Sequence, residues 1–424
     1  MQRILGFIYS SLLSYFCINY PEATAQNLTD SLEALQKARW YIQILSHDSL
    51  AGRGYHKGGH IRAAQFIAQE FQKIGLKPYF DSYFQYFTIQ INLIQSAKLK
   101  VDKKPLEAGK DFIVAATAPS IQGKFRLTYL DYHSPHKWKK NFNSQFIAIK
   151  EEAFKGTKSY PDAISLAQAK KAKGIILLKK KLTHTFSKQI EKLPIVEIAT
   201  QDTLLLQKAS KVQIQIQSQL ATIQTQNVVG YVPGTLYADS LIVFCAHYDH
   251  LGMLENAIFY GANDNASGVA FLLELARKVT HRPLKYSALF IAFGAEETGL
   301  EGSFFFTQNV SPELLRKIKF VLNFDLLGNG EEGIMAVGGT NYPQLFNLFK
   351  EKHGFLKHTY PLKLRSNAPN SDHYPFTLQG IPALFFYTLG GAPHYHDIYD
   401  RASAINLPIF YNFQKLVLAV LNSL

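Results

Sequence analysis

The stretch LIVFCAHYDHLG, residues 241–252, decides how this chain is read. LIVFC is a run of apolar, β-favouring residues with the length and character of a buried strand. His247, Asp249 and His250 follow at once, and then Gly252 marks a turn. These polar residues are either a capped loop or a metal ligand with the group that orients it. Working outward settles the fold first. NVVGYV (227–232), SALFIAF (287–293), FVLNFD (320–325), IMAV (334–337) and PALFFY (382–387) are further short apolar runs. Helical stretches separate most of them, notably ASGVAFLLELARKV (266–279) and NYPQLFNLFKEKH (341–353). Strands alternating with helices predict an α/β three-layer sandwich around a central mixed, largely parallel sheet. This half carries no dinucleotide glycine fingerprint and no phosphate loop.

In open α/β sheets functional groups gather at the carboxyl ends of the strands. Reading just past each apolar run is therefore a test of function. His247 and Asp249 follow LIVFCA, and Asp264 sits in GANDNASG ahead of the long apolar helix. Glu296 and Glu297 follow SALFIAFGA, Asp325 follows KFVLNF, and His396 comes after PALFFYTLGGAPHY. Each has an ordinary alternative: Asp264 as a helix cap, Glu296–Glu297 as an exposed turn, Asp325 as a turn aspartate, His396 as a structural histidine. His250, His373 and His394 are read as structural. Those alternatives do not explain why five separate loops in this half, all following apolar runs, each present a histidine or a carboxylate. Histidine nitrogen and carboxylate oxygen suit zinc. Two zinc ions held about 3.5–4 Å apart need a bridging carboxylate and share a water between them. An aspartate in a glycine-rich loop suits the bridge. Adjacent glutamates offer one ligand and one base. Asp249, two residues after His247, is placed to accept the other ring N–H of that histidine and fix its tautomer.

The rest of the chain frames this half. Residues 28–45 have helical periodicity with Thr29 or Asp30 as the cap. HIRAAQFIAQEFQKIG (60–75) puts Ile61, Ala64, Ala68, Phe71 and Ile74 on one predicted face and stops at Gly75. From 96 to 225 lysine and glutamine become frequent, and RLTYLDY (126–132) and VQIQIQSQL (212–220) alternate with strand period. PDAISLAQAKKAKGIILL (161–178) reads as a helix feeding a buried strand. This stretch holds no ligand cluster and is expected to be an inserted smaller α/β domain. The expected organisation is a signal peptide over 1–25, a catalytic domain over 26–95 and 226–424, and the insert over 96–225. At 424 residues and 47% hydrophobic, the chain has ample core for this.

The formal charge is +13, yet no nucleic-acid motif accompanies it, so a solvated basic face is expected and no nucleic-acid partner. MQR, the apolar run 4–16 and Ala23-Thr24-Ala25 form a secretory leader pattern, which implies export to the periplasm or beyond. Cys17 lacks the leucine and small residues of a lipoprotein signal. No later stretch is apolar enough for a membrane helix. With Cys17 and Cys245 the only cysteines, a disulfide framework is excluded.

AHYDHLG, GANDNASG, FGAEETGLEGS, NFDLLG, SDHYPF and YHDIYD, in this order, resemble the di-zinc aminopeptidase family, which includes secreted bacterial aminopeptidases and relatives of glutamate carboxypeptidase, the transferrin receptor and glutaminyl cyclases. SLAGRGYHKGG is similar to the family's opening. AISLAQAKKAKGIILL with LPIVEIAT resembles a protease-associated domain. The resemblance implies two zinc ions per chain. In it Asp264 bridges, His247 and Asp325 complete one site, and Glu297 and His396 the other. It makes Glu296 the general base, gives Asp249 the support of His247, and gives Tyr395 a hydrogen bond to the developing oxyanion. His396 is preferred to His394 because it stands four residues before Asp400. A cis peptide is implied at Asp264–Asn265. The implied activity is removal of N-terminal residues from peptides with a free N-terminus. Alternatives are one-zinc glutaminyl cyclisation, a carboxypeptidase, and an inactive receptor-like binding protein.

Overall fold

The computed structural model describes residues 22–130, 141–150, 164, 167–168, 170–391 and 393–424, with the backbone alone for 22–27. The expected leader through residue 21, Cys17 included, and most of the helix expected within 161–178 lie outside the described residues. Helix α1 runs from Glu22–Leu45 and α2 from Gly59–Ile74. Gly75 ends α2 at φ 96°, a left-handed conformation that glycine takes without a Cβ penalty. The buried stripe of α2 is His60, Ala63, Ala64, Ile67 and Phe71. Ile61, expected on that face, is 43% exposed, because it sits about 100° around the helix from His60.

The sheet of the C-terminal half is built from β8 (Tyr237–His247), β9 (Tyr286–Phe293), β10 (Ile318–Phe324), β11 (Gly333–Val337), β12 (Leu362–Arg365) and β13 (Ala383–Leu389). Its order is β12-β11-β13-β10-β8-β9. β8 lies parallel to β9 and β10, β10 to β13, and β11 to β12, while β11 and β13 are antiparallel. Alternation along β8 explains the three layers. Ile242, Phe244 and Ala246 enter one core with α1, α2, α3 (Gly268–His281), α4 (Pro343–Phe355) and α5 (Phe410–Leu421). Val243 and Cys245 enter a second core with Phe306, Leu314 and Phe376 on the opposite face. The expected α/β architecture, with a mixed and largely parallel central sheet, is the one observed.

The sheet continues into the middle of the chain. β1 is Phe84–Val101, β2 Phe112–Val114, β3 Ile121–Leu130, β4 Gln145–Lys150, β5 Gly174–Lys179, β6 Ile195–Ala199 and β7 Lys211–Val232. From β9 the order is β7-β3-β4-β5-β6-β2, with β1 paired to β7 along most of its length. VQIQIQSQL and NVVGYV, read as separate runs, are one 22-residue strand. Nothing in ATIQTQ between them breaks a strand: it holds no proline or glycine, and its Thr and Ile favour extended backbone. β7 thus pairs with β1 over most of its length, with β3 at its start and with β9 at its end. A further core of Ile94, Leu99, Val101, Ile176 and Val212 lies on this side and also takes in Leu251, Leu254, Phe259 and Ile398.

Because β8, β9, β10 and β13 run in one direction, their carboxyl ends share an edge. His247 is the last residue of β8, Glu296 follows β9, and Asp325 follows β10 directly.

Candidate metal centre

At that edge His247 Nε2 stands 3.3 Å from Asp264 Oδ1 and 3.4 Å from Asp325 Oδ1. His396 Nε2 stands 3.2 Å from Asp264 Oδ2 and 3.1 Å from Glu297 Oε2. The two oxygens of Asp264 therefore face two different histidine–carboxylate pairs. Glu296 Oε2 is 4.0 Å from His247 Nε2. All of them border a cavity of about 200 Å³ that Leu326, Asn370, Phe385, Tyr387 and Tyr395 also line. Tyr395 is half exposed and its ring stacks on that of His396, with centroids 3.8 Å apart.

The histidines are oriented from behind. His247 Nδ1 is 3.2 Å from the carbonyl oxygen of Asp249 and 3.8 Å from that residue's carboxylate. The backbone carbonyl of Asp249 is thus the nearer of its two acceptors, and the carboxylate expected to support His247 stands behind it. Its carboxylate also accepts the Tyr55 hydroxyl at 2.9 Å and the backbone N–H groups of Glu296 and Glu297 at 3.1 and 3.4 Å, which fixes the glutamate loop. His396 Nδ1 is 3.1 Å from the carbonyl oxygen of His184. A ring that donates from Nδ1 to a carbonyl presents a lone pair at Nε2. Both rings then aim lone pairs at carboxylate oxygens. Buried Asp325 Oδ1 has no hydrogen-bond donor. Such an arrangement is costly unless cations or protons lie between the groups, and nitrogen and oxygen donors of this kind fit zinc.

Without metal, protons take that place. Burial disfavours the charged His396 ring, but Glu297 and Asp264 outweigh it and lift its pKa to about 11. Burial likewise opposes, and Glu296 and Asp325 outweigh it, raising His247 well above the ordinary histidine range. Asp264, pushed up by burial, is held far below the carboxylate range by His247 and His396. Glu297 is drawn down to about 2 against its burial, chiefly by His396. Glu296 is raised well above its ordinary value by burial, reinforced by Glu297, Asp372 and Asp325 against the pull of His247.

Other residues in the site carried no signal strong enough to single them out. His250, read as structural, is fully buried and its Nδ1 lies 2.7 Å from Glu297 Oε1. By distance alone His250, Asp264 and Glu297 also form a ligand set, beside that of His247, Asp264 and Asp325. His250 does not border the cavity, however, and its distance to Asp264 is 3.9 Å. Asp400 accepts the backbone N–H groups of Asn263 and Asp264 at 2.8 and 3.0 Å. Arg53, fully buried, donates to the carbonyls of Leu45, Tyr248, Tyr260, Gly261 and Asp264 and so ties the β8 end to the Asp264 loop. The Asp264–Asn265 peptide is cis, as the resemblance implied. His373 bonds Asn367 and His394 lies 3.5 Å from Asp397, both away from the cluster.

Fold and cluster together define a class: an α/β protein with a carboxylate–histidine centre at the carboxyl edge of its sheet, divided in two by one aspartate. Residues 227–421, which carry the whole cluster, match the model of Peptidase family M28. The chain is 28% identical over 306 residues to Aminopeptidase YwaD of Bacillus subtilis, covering 69% of this chain and 64% of that protein. It is 28% identical over 229 residues to the Glutamate carboxypeptidase 2 homolog of Caenorhabditis briggsae, covering 45% and 28%. The matches thus span less than two thirds of the length of these relatives. Among solved structures, a zinc aminopeptidase from Bacillus subtilis shares the fold with a TM-score of 0.72 at 21% identity, over 92% of this chain and 94% of that one. An aminopeptidase from Aneurinibacillus sp. strain AM-1 shares it with a TM-score of 0.63 at 22% identity, over 91% and 92%.

Proposed function

We propose that this chain is a zinc-dependent aminopeptidase that hydrolyses N-terminal residues from peptides. The observation that carries the reading is Asp264, which offers opposite oxygens to two histidine–carboxylate pairs with a glutamate beside them at the cavity wall. His247, Asp264 and Asp325 would hold one zinc ion, and Asp264, Glu297 and His396 a second. His396 is preferred to His250 because it borders the cavity and approaches the oxygens of Asp264 and Glu297 that face it. His250 then orients Glu297 through the other oxygen. When bound, the ions would supply positive charge that polarises the scissile carbonyl and acidifies water.

The chain's own residues do the rest. Glu296 takes a proton from the attacking water and returns it to the leaving amine nitrogen. Asp249 holds Glu296 and Glu297 in place by their backbone N–H groups. Tyr395, which lines the cavity, would bond the charge developing on the substrate carbonyl oxygen. Leu326, Phe385 and Tyr387 offer an apolar wall for the first side chain of the substrate. Residues 96–225 form a protease-associated-like insert and 26–95 with 226–424 the catalytic domain. A second apolar core built mostly from residues 97–216, beside the one that α1–α5 share, supports that division. The leader pattern over 1–25 supports export; among the described residues no helix is long and apolar enough to cross a membrane. A panel of free-amine and N-blocked aminoacyl fluorogenic substrates, with and without chelator, tests the activity. Cleavage of free-amine substrates alone, abolished by chelator and restored by zinc, is expected. Cleavage of the blocked forms, or indifference to chelator, would overturn it.

A further inference from the structure

We infer that a strap from the middle region, residues 181–186, is a working part of the centre: it sets the geometry of His396, and Lys181 is its positioning residue. The inference rests on the two-ion reading above.

Residues 181–187 form neither helix nor strand, yet they are tied down on the catalytic side. Lys181 Nζ donates to the carbonyl oxygens of Pro393 and Tyr395 at 2.7 and 2.6 Å, and lies 3.7 Å from the Asp397 carboxylate. His184 N donates to the His396 carbonyl at 3.1 Å, and His396 Nδ1 returns a bond of 3.1 Å to the His184 carbonyl. The strap is anchored behind by the His184 ring, stacked on Phe259 with centroids 4.8 Å apart.

These contacts bear on the one ligand that most needs them. His396 has φ +61°, a left-handed backbone that an L side chain adopts at a cost. No strand or helix holds it, for it stands seven residues beyond the end of β13 at Leu389. The strap supplies what a strand would have supplied. It satisfies the carbonyls of Pro393, Tyr395 and His396, and through the His184 carbonyl it selects the tautomer with Nε2 free to bind. Only Lys181 does this with a side chain, so it can be removed without touching the catalytic half.

The test uses the full chain, stripped of metal and titrated with zinc against a chromophoric chelator to give stepwise affinities, beside steady-state kinetics. Lys181→Met keeps the aliphatic stem and loses the donors. It is expected to weaken one of two zinc affinities by about 10–100-fold, as loss of an orienting partner typically does, and to leave the other unmoved. Kcat should fall more than KM rises, and Lys181→Arg, which can donate to the same carbonyls, should restore both. Lys181→Gln, which keeps a short donor, is measured alongside so that a folding failure in one variant leaves the other to decide. Thermal melts of the metal-free proteins identify such a failure. Two unchanged affinities, or two weakened equally with a lower melt, would mean that the strap is only a tether. A wild-type chain that binds fewer than two zinc ions would instead defeat the two-ion reading, and the strap inference with it.

Discussion

His247 and Asp325 stand at the ends of β8 and β10, neighbouring parallel strands in the middle of the sheet, whereas Glu297 and His396 stand in loops. The backbone N–H of Asp325 still bonds the Phe386 carbonyl, so this carboxylate is held by the same ladder that holds the core. Glu297 depends on Asp249 and His250, and His396 on a strap more than two hundred residues away in sequence. One half of the centre is positioned by strand pairing and the other by side chains. The strand-borne half should tolerate loss of its neighbours. The loop-borne half should not.

Glu296 belongs to neither half, which makes it the sharpest control. Glu296→Gln is expected to lower kcat by about 10²–10⁴-fold, the usual worth of a general base. Both zinc affinities should stay at their wild-type values. A variant that loses zinc as well would place Glu296 among the ligands and redraw the division between the halves.

His250 comes next. His250→Ala removes the partner of Glu297 Oε1 and is expected to weaken the loop-borne ion by about 10–100-fold while sparing the other. If instead His250→Ala abolishes one ion outright while His396→Ala does not, His250 is the ligand.

Proton linkage should show the same two halves in one experiment. In the metal-free chain the surrounding carboxylates raise His247 well above the ordinary histidine range and His396 to about 11, so each ring favours a proton that competes with zinc. A raised pKa means the proton is held below that value and must leave before the ring can bind metal. Zinc affinity should therefore fall as pH falls, by about tenfold per pH unit for each proton released. Calorimetry in two buffers of different ionisation enthalpy counts those protons. Affinity that does not change with pH would show that the rings are neutral before zinc arrives.

How much of this could be read from residues alone follows the same line. The parallel strands were legible because apolar runs alternate with helical periodicity, and strand ends point to a common edge. His247, Asp264, Glu296, Glu297, Asp325 and His396 were named from that logic and from the family's motifs, and they lie together in space. What escaped depends on backbone acceptors. Arg53 grips five carbonyls and Lys181 two, and a carbonyl has no residue type to recognise. Spacing assigns Asp249 to His247, but two residues past a strand end its carbonyl is the nearer acceptor, and the same carboxylate also holds the glutamate loop, which spacing does not show. His250 looked structural because its partner, Glu297, is 47 residues on and meets it only when β8 and β9 pair.

The smallest effect is expected on the strand-borne side, at Ser371. Its hydroxyl donates to Asp325 Oδ2 at 3.1 Å and accepts from Asn323 Nδ2 at 2.7 Å, and the Asn323 side-chain Oδ1 in turn accepts from Cys245 Sγ at 3.4 Å. On contacts alone Ser371→Ala resembles His250→Ala, since each deletes a partner of a ligand carboxylate. The difference is what remains. Asp325 keeps its backbone bond to Phe386, so its oxygens stay in place and the ion they hold should weaken by no more than about tenfold, one ordinary hydrogen bond. Buried Asn323, by contrast, loses its acceptor, and an unsatisfied buried amide costs about 1–3 kcal/mol of stability. Ser371→Ala should therefore lower the melting temperature of the metal-free protein with little change in zinc affinity, the reverse of the pattern expected for Lys181→Met. If Ser371→Ala weakens zinc as strongly as His250→Ala does, strand pairing is not what holds Asp325, and the contrast between the halves fails.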